Sequence, residues 1–230
     1  MTGSNGLRRG SGQARGFSFV ELVVSMAITL TVLSSMFGII NSARSIFEVD
    51  LERTDMHQRA RVSADALFKD VVMAGAGLQV PAIAPFRRGE RNADIAGAAF
   101  PDRISVLYLP PGTPAEDVVI NTYALRVDGA GVPQLTRYDG RDTELPVVDQ
   151  VTSLRFEYFD AAGQPIELAR FSDGPWVPNA VAADRFDGDL LTIQRVRTIV
   201  RVRPARLFAG MPLDDFELTV DIAPRNMSVP

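Results

Sequence analysis

Apolar and polar positions follow three successive patterns along this chain. From Phe17 to Ile40 the residues are apolar, small or hydroxylated, and the only charge among them is Glu21. An α-helix of that length extends roughly 36 Å, enough to cross a hydrocarbon core of about 30 Å. From Asn41 to Gly77 polar residues return, proline stays absent, and Phe47, Leu51, Val62, Leu67 and Val71 recur at spacings that predict one apolar helix face. Asp55–Arg59 and Asp65–Lys69 stand four apart with opposite charge, which favours a helix. Gly75, Gly77 and then Pro81 are stop signals. One helix is therefore expected from Phe17 to about Ala74.

Beyond it the pattern changes to short alternating runs. Pro81 to Phe100 is rich in Pro, Ala, Gly and charge and reads as a loop without regular core structure. Asp102–Pro110 alternates and ends at a Pro pair, as a strand does. Two more strands are expected on either side of Asp128-Gly129, a favoured hairpin pair. "VVDQVTSLRFEYFDAAGQPIEL" reads as a further strand pair turning at Ala162-Gly163. Residues 164–192 are loop-rich. "RVRTIVRVRP", led by a short helix, and "DDFELTVDIAPRN" complete six or seven strands, mostly antiparallel. The class is α+β: a long N-terminal helix, transmembrane in its first half, packed on an antiparallel β-sheet domain. The expected divisions are 1–16, a leader; 17–40, a membrane helix; 41–76, the amphipathic continuation; and 77–230, a β-rich globular domain.

Charge decides orientation. Arg8, Arg9 and Arg15 precede the apolar run with no acid among them, so that end stays in the cytoplasm and the remainder crosses. A secretory signal fits poorly, because its apolar region spans only about 7–15 residues. The chain of 230 residues carries a formal charge of −4, unlike the basic footprint of a nucleic-acid binder. It has no cysteine, which excludes disulfides, thiol catalysis and Cys-ligated metal.

A membrane segment rarely keeps a carboxylate without a reason. Arg15-Gly16-Phe17-Ser18-Phe19-Val20-Glu21 supplies a pattern: basic leader, Gly, Phe, and Glu four residues later inside an apolar helix. It resembles the type IV prepilin signal, shared by type IV pilins and the pseudopilins of type II secretion. The resemblance implies cleavage after Gly16 and N-methylation of Phe17 by prepilin peptidase. It also implies that Glu21 pairs with the new amine of a neighbouring subunit during assembly. Cleavage would remove three Arg and no acid, taking the formal charge from −4 to −7 before the new amine is counted. Leu67, Asp70, Met73, Ala74 and Gly75 resemble the helix end of PilW-like minor pilins and J-type pseudopilins. Val151–Asp160, Arg195–Val202 and Phe216–Asn226 resemble their later strands.

Implied from this likeness are an inner-membrane protein with a periplasmic C-terminal domain and a structural role in initiating or capping a pilus or pseudopilus. Its partners would be prepilin peptidase, other minor pilins or pseudopilins, the inner-membrane assembly platform and membrane lipid. Glu21 argues against the tip-most pseudopilin, which commonly lacks it. Two other functions stand as alternatives: a DNA-uptake pilin using Arg195, Arg197, Arg201 and Arg203, and a membrane-anchored periplasmic enzyme. Nucleic acid is not the expected partner, because a solvent-facing strand beside acidic neighbours accounts for those arginines equally well. For an enzyme the sequence offers little. His57 is the only histidine, with no cysteine or second histidine for a metal site, and no triad, phosphate loop or dinucleotide fingerprint appears. Asp184, Asp187 and Asp189 around Gly188 form the one candidate Ca²⁺ cluster, without an EF-hand spacing, and an ordinary acidic turn is the plainer reading. The expectation is no catalytic residue and no obligatory cofactor.

Overall fold

The computed structural model describes residue 16 and residues 18–78, 82–85, 102–114, 117–140, 144–171, 188–206 and 212–227. The one α-helix among the described residues, α1, runs from Phe19 to Met73 and passes Gly38 without a break. The chain divides into two compact units, residues 1–48 and 49–230, with the division inside α1. In the first unit, α1 is exposed along its apolar stretch and is long and apolar enough to cross a membrane.

Among the described residues, the second unit combines the last part of α1 with nine strands, all pairing antiparallel, in two sheets. One sheet has the order β1 (Ile83–Ala84), β2 (Arg103–Tyr108), β3 (Val119–Val127), β4 (Pro133–Tyr138), β5 (Glu144–Asp149). The other has the order β7 (Pro165–Ile166), β6 (Val151–Phe159), β8 (Arg195–Val202), β9 (Phe216–Ile222). The α+β class holds, with two sheets in place of one. β6 lies against β2, β3 and β4. One core results: Met56, Leu67 and Val71 from the helix, Ile104, Tyr123 and Leu135 from the first sheet, and Phe156, Tyr158 and Val196 from the second. Each large side chain fully buried there contributes about 1.5–3 kcal/mol over its exposed state.

The expected apolar face of the helix is only half right. Leu67 and Val71 are buried, but Phe47, Leu51 and Val62 are exposed. The buried stripe of the second unit is Val49, Glu52, Met56, Ala60, Ser63, Ala64, Leu67, Asp70 and Val71. Small residues hold its centre because they let a helix backbone approach a sheet closely. Hydrophobicity alone does not mark such a stripe.

Two strand expectations also change. The loop assigned to Pro81–Phe100 contains β1, whose two residues are fully buried against Val106 and Ser105; residues 86–100 lie outside the described residues. "VVDQVTSLRF" is two strands in different sheets. Gln150, at φ 60°, is the single residue between β5 and β6. A non-glycine residue there stores strain of about 1–3 kcal/mol. Arg203 holds the corner, its backbone N–H donating to Gln150 O at 3.0 Å and its Nε to Gln150 Oε1 at 2.7 Å.

α1 ends where backbone geometry requires glycine. Gly75 has φ +80°, and a Cβ on it would stand 2.7 Å from the Asn226 carbonyl oxygen. Its N–H donates to Leu107 O, and Ala76 O accepts from Leu109 N–H, which joins the helix end to β2. Arg225 N–H donates to Val72 O, so the segment after β9 closes on the same turn. A polar lock lies one turn back. Asp70 is buried, and its Oδ2 accepts from Asn121 Nδ2 and Tyr123 Oη, both at 2.7 Å.

A fragment starting at residue 45 is predicted to unfold in one cooperative transition. Within it, Asp70→Ala takes the acceptor from the buried Asn121 Nδ2 and leaves the Tyr123 hydroxyl only the Ala66 carbonyl oxygen at 3.2 Å, and should cost about 1–3 kcal/mol. Urea unfolding followed by circular dichroism measures both; an unchanged midpoint would remove the lock from the account.

Candidate functional site

The residues of the resembled signal sit at the start of α1. Gly16 is exposed, with nothing within 4 Å of the place a Cβ would take; Phe17 lies outside the described residues, and the helix begins at Phe19. Ser18 O accepts the N–H of Leu22 at 3.1 Å. Glu21 stands in the first turn, where the positive end of the helix dipole favours a carboxylate.

Four hydroxyls of this stretch bond to the helix's own backbone. Ser25 donates to Glu21 O, Thr29 to Ser25 O, Thr31 to Ala27 O and Ser35 to Thr31 O, at 2.6–2.9 Å. Hydroxyls bonded in this way are compatible with hydrocarbon. The Glu21 carboxylate differs: among the described residues no side chain or backbone donor pairs with it. An ionised group in the membrane interior is costly, so a partner cation from outside the helix would stabilise it.

The arginines of β8 are committed within the sheet. Arg197 donates from Nε and Nη2 to the two oxygens of Asp221, at 2.7 and 3.0 Å. Arg201 donates from the same two nitrogens to Glu217 Oε2, at 3.2 and 2.7 Å. Arg195 lies over the Phe159 ring at 4.4 Å, and Arg203 is bound to Gln150. The hydrogen bond from Arg197 holds the Asp221 carboxyl below the usual carboxylate range, and the bonds from Asp221 and Glu217 raise the two guanidinium pKa values. This ladder was legible. Arg197 and Arg201 stand four apart, as do Glu217 and Asp221, and antiparallel pairing brings them together.

Of the calcium candidates, Asp184 and Asp187 lie outside the described residues. Asp189 is engaged by Arg170, with Nη2 2.8 Å from Oδ1. Among the described residues no three His, Cys, Asp or Glu side chains are grouped to hold a metal. His57 is exposed and lies against the Phe216 ring, with centroids 3.9 Å apart. The interactions that the sequence did not reveal are the Asp70 lock and a second helix contact. Glu52, buried, accepts the Ala205 N–H at 2.6 Å, and Arg59 ties Asp55 at 2.6 Å to Asp149 at 3.2 Å. Both depend on pairing residues more than fifty positions apart.

Protein-family models and curated proteins give no match to this chain. The architecture is that of an α+β protein with one long N-terminal apolar helix and an antiparallel sheet domain, and it is compatible with a pilin-like fold.

Burial, the nearby charge of Asp70 and the hydrogen bond to it raise the Tyr123 pKa well above its ordinary 10.0; burial alone raises Tyr158. In the unfolded chain both release their protons near 10, so above that pH the unfolded state binds fewer protons than the folded one. Their contribution is present below pH 10 and is lost as pH rises further. The prediction is that phenolate absorbance from these two tyrosines appears only together with loss of the circular-dichroism signal, with Tyr123→Phe and Tyr158→Phe assigning the amplitude. Free titration of both in the folded protein would contradict the buried placement.

Proposed function

We propose that the protein is a minor pilin or minor pseudopilin, a structural subunit that helps to initiate or cap a type IV pilus or a type II secretion pseudopilus. The observation that carries this reading is Glu21. It is the only charge in a membrane-length apolar run, stands four residues after Phe17 of a Gly16-Phe17 junction, and has no partner among the described residues of its own chain. Cleavage after Gly16 by prepilin peptidase on the cytoplasmic side of the inner membrane would create a positive amine at Phe17. The amine of one subunit and the Glu21 of the next would then offset part of each other's desolvation cost. Either charge left unpaired would penalise a wrong register. The α1 helix would form the filament core and the two-sheet domain, on the periplasmic side, would select neighbours. The β8 arginines do not favour the DNA-uptake alternative, because carboxylates of β9 already neutralise Arg197 and Arg201.

Glu21→Val is predicted to leave membrane insertion intact and to reduce incorporation into filaments several-fold. The measurement is co-purification of the variant with the other subunits, against total membrane content. Equal incorporation of variant and wild type would remove the register role.

A further inference from the structure

The two sheets have four edges among the described residues, and three of them are protected. β1 and β7 are two residues long, and β5 carries Pro146 and a register shift against β4. Short edges, prolines and bulges keep a sheet from pairing with another chain. β9 has none of them. Its seven residues include no proline or glycine, and it pairs with β8 without a shift. Alternate N–H and C=O groups of an edge strand point away from its one neighbour. Among the described residues no backbone group meets those of Phe216–Ile222 on that side.

The edge is also covered less completely than the strand inside it. On the inner face of the sheet Thr198, Val200 and Val202 of β8 are buried, whereas their β9 partners Val220, Leu218 and Phe216 stay part-exposed. On the outer face, charge alternates from strand to strand: Glu157 of β6, Arg197 of β8, Asp221 of β9. Arg201 and Glu217 repeat the last two members of that row. The rows therefore end on acids at the edge, and Asp214 and Asp215 add two exposed carboxylates just before the strand. Both bonds from Arg201 fall on Glu217 Oε2, and Oε1 has no partner among the described residues.

We propose that the β9 edge takes up an extended segment of another protein as an added antiparallel strand. The segment carries basic side chains four residues apart on its outer face, opposite Asp221 and Glu217, and apolar side chains on its inner face, beside Val220, Leu218 and Phe216. Its pattern is that of β8, which meets the same acids from the other side with Arg197 and Arg201 and fills the inner face with Val200 and Val202. Main-chain bonds supply the affinity, and the two cations and the apolar row supply the choice of partner. A second copy of β9 is the wrong occupant, because antiparallel pairing centred on Thr219 would set Glu217 against Asp221. The proposal goes beyond the assembly reading above and uses only features of the folded domain.

The test uses the full chain in a neutral detergent and a fluorescent synthetic peptide, Val-Arg-Val-Thr-Val-Arg-Val, with binding read by anisotropy. The peptide should bind, and should bind several-fold more weakly in high salt or to Glu217→Gln. The same peptide with Glu in place of both Arg should not bind. Two further peptides, N-methylated on the odd or on the even residues, each lose the hydrogen-bonding groups of one strand edge. One of the two should bind as the parent does and the other should not. Equal binding by both, or equal loss, would overturn strand addition; equal binding of the Glu peptide would overturn the charge pattern. No binding of the parent peptide would overturn the proposal, and self-association of the protein through β9, lost in Glu217→Gln, would overturn the choice of occupant. Glu21→Val should bind the peptide as the wild type does, so this proposal and the assembly reading fail separately.

Discussion

An α-helix satisfies its own backbone hydrogen bonds except at its ends, and the use of α1 depends on that property. In its first part every interior N–H and C=O is paired, and the hydroxyls of Ser25, Thr29, Thr31 and Ser35 fold back on carbonyls four residues earlier. Such a surface can face lipid at little cost. The Glu21 carboxylate is the one charge among the described residues of this stretch, and it is left to be satisfied from elsewhere. At the other end, the orphan carbonyls of the last turn need partners and the chain must reverse. Gly75 in the left-handed region provides the reversal and donates its N–H to Leu107 O of β2, while the Arg225 N–H, from the segment after β9, meets the Val72 carbonyl of the last turn.

Within the domain, small residues on the helix make close packing possible and polar groups fix its position. Ala60 and Ala64 bring the helix near the core without specifying a register along it. Asp70 specifies one, because only one axial position lets its Oδ2 meet both Asn121 and Tyr123. Arg59 and Glu52 set further points, roughly three and five turns nearer the N-terminus. The second sheet uses alternation more simply: Val196, Thr198, Val200 and Val202 face inward, while Arg197 and Arg201 face outward and pair with the acids of β9.

Much of this was legible in the sequence, in proportion to how local the cause was. The long helix, its glycine stop, the Asp128 hairpin and the strands at 103–108, 195–202 and 216–222 all follow from nearby residues. β1 was missed because two buried residues in a Pro- and Ala-rich stretch carry no alternation. The β5–β6 corner was missed because Gln150 occupies a conformation usually signalled by glycine, and its support, Arg203, lies far along the chain. The helix face was misjudged because Ala and Ser form its buried stripe while Leu51 and Val62 stay exposed. At the candidate site, Glu21 was conspicuous as a lone charge, whereas Asp70 looked like an ordinary helix residue until its partners on β3 were known.

The assembly reading depends on creation of a new N-terminus next to Glu21. The most direct measurement is the intact and peptide mass of the mature protein, purified from a host that contains prepilin peptidase. The account predicts a chain that begins at Phe17 and carries one methyl group on its amine. A chain that keeps residues 1–16, or one that begins after Ala43, would contradict it and leave Glu21 without the amine it is proposed to meet.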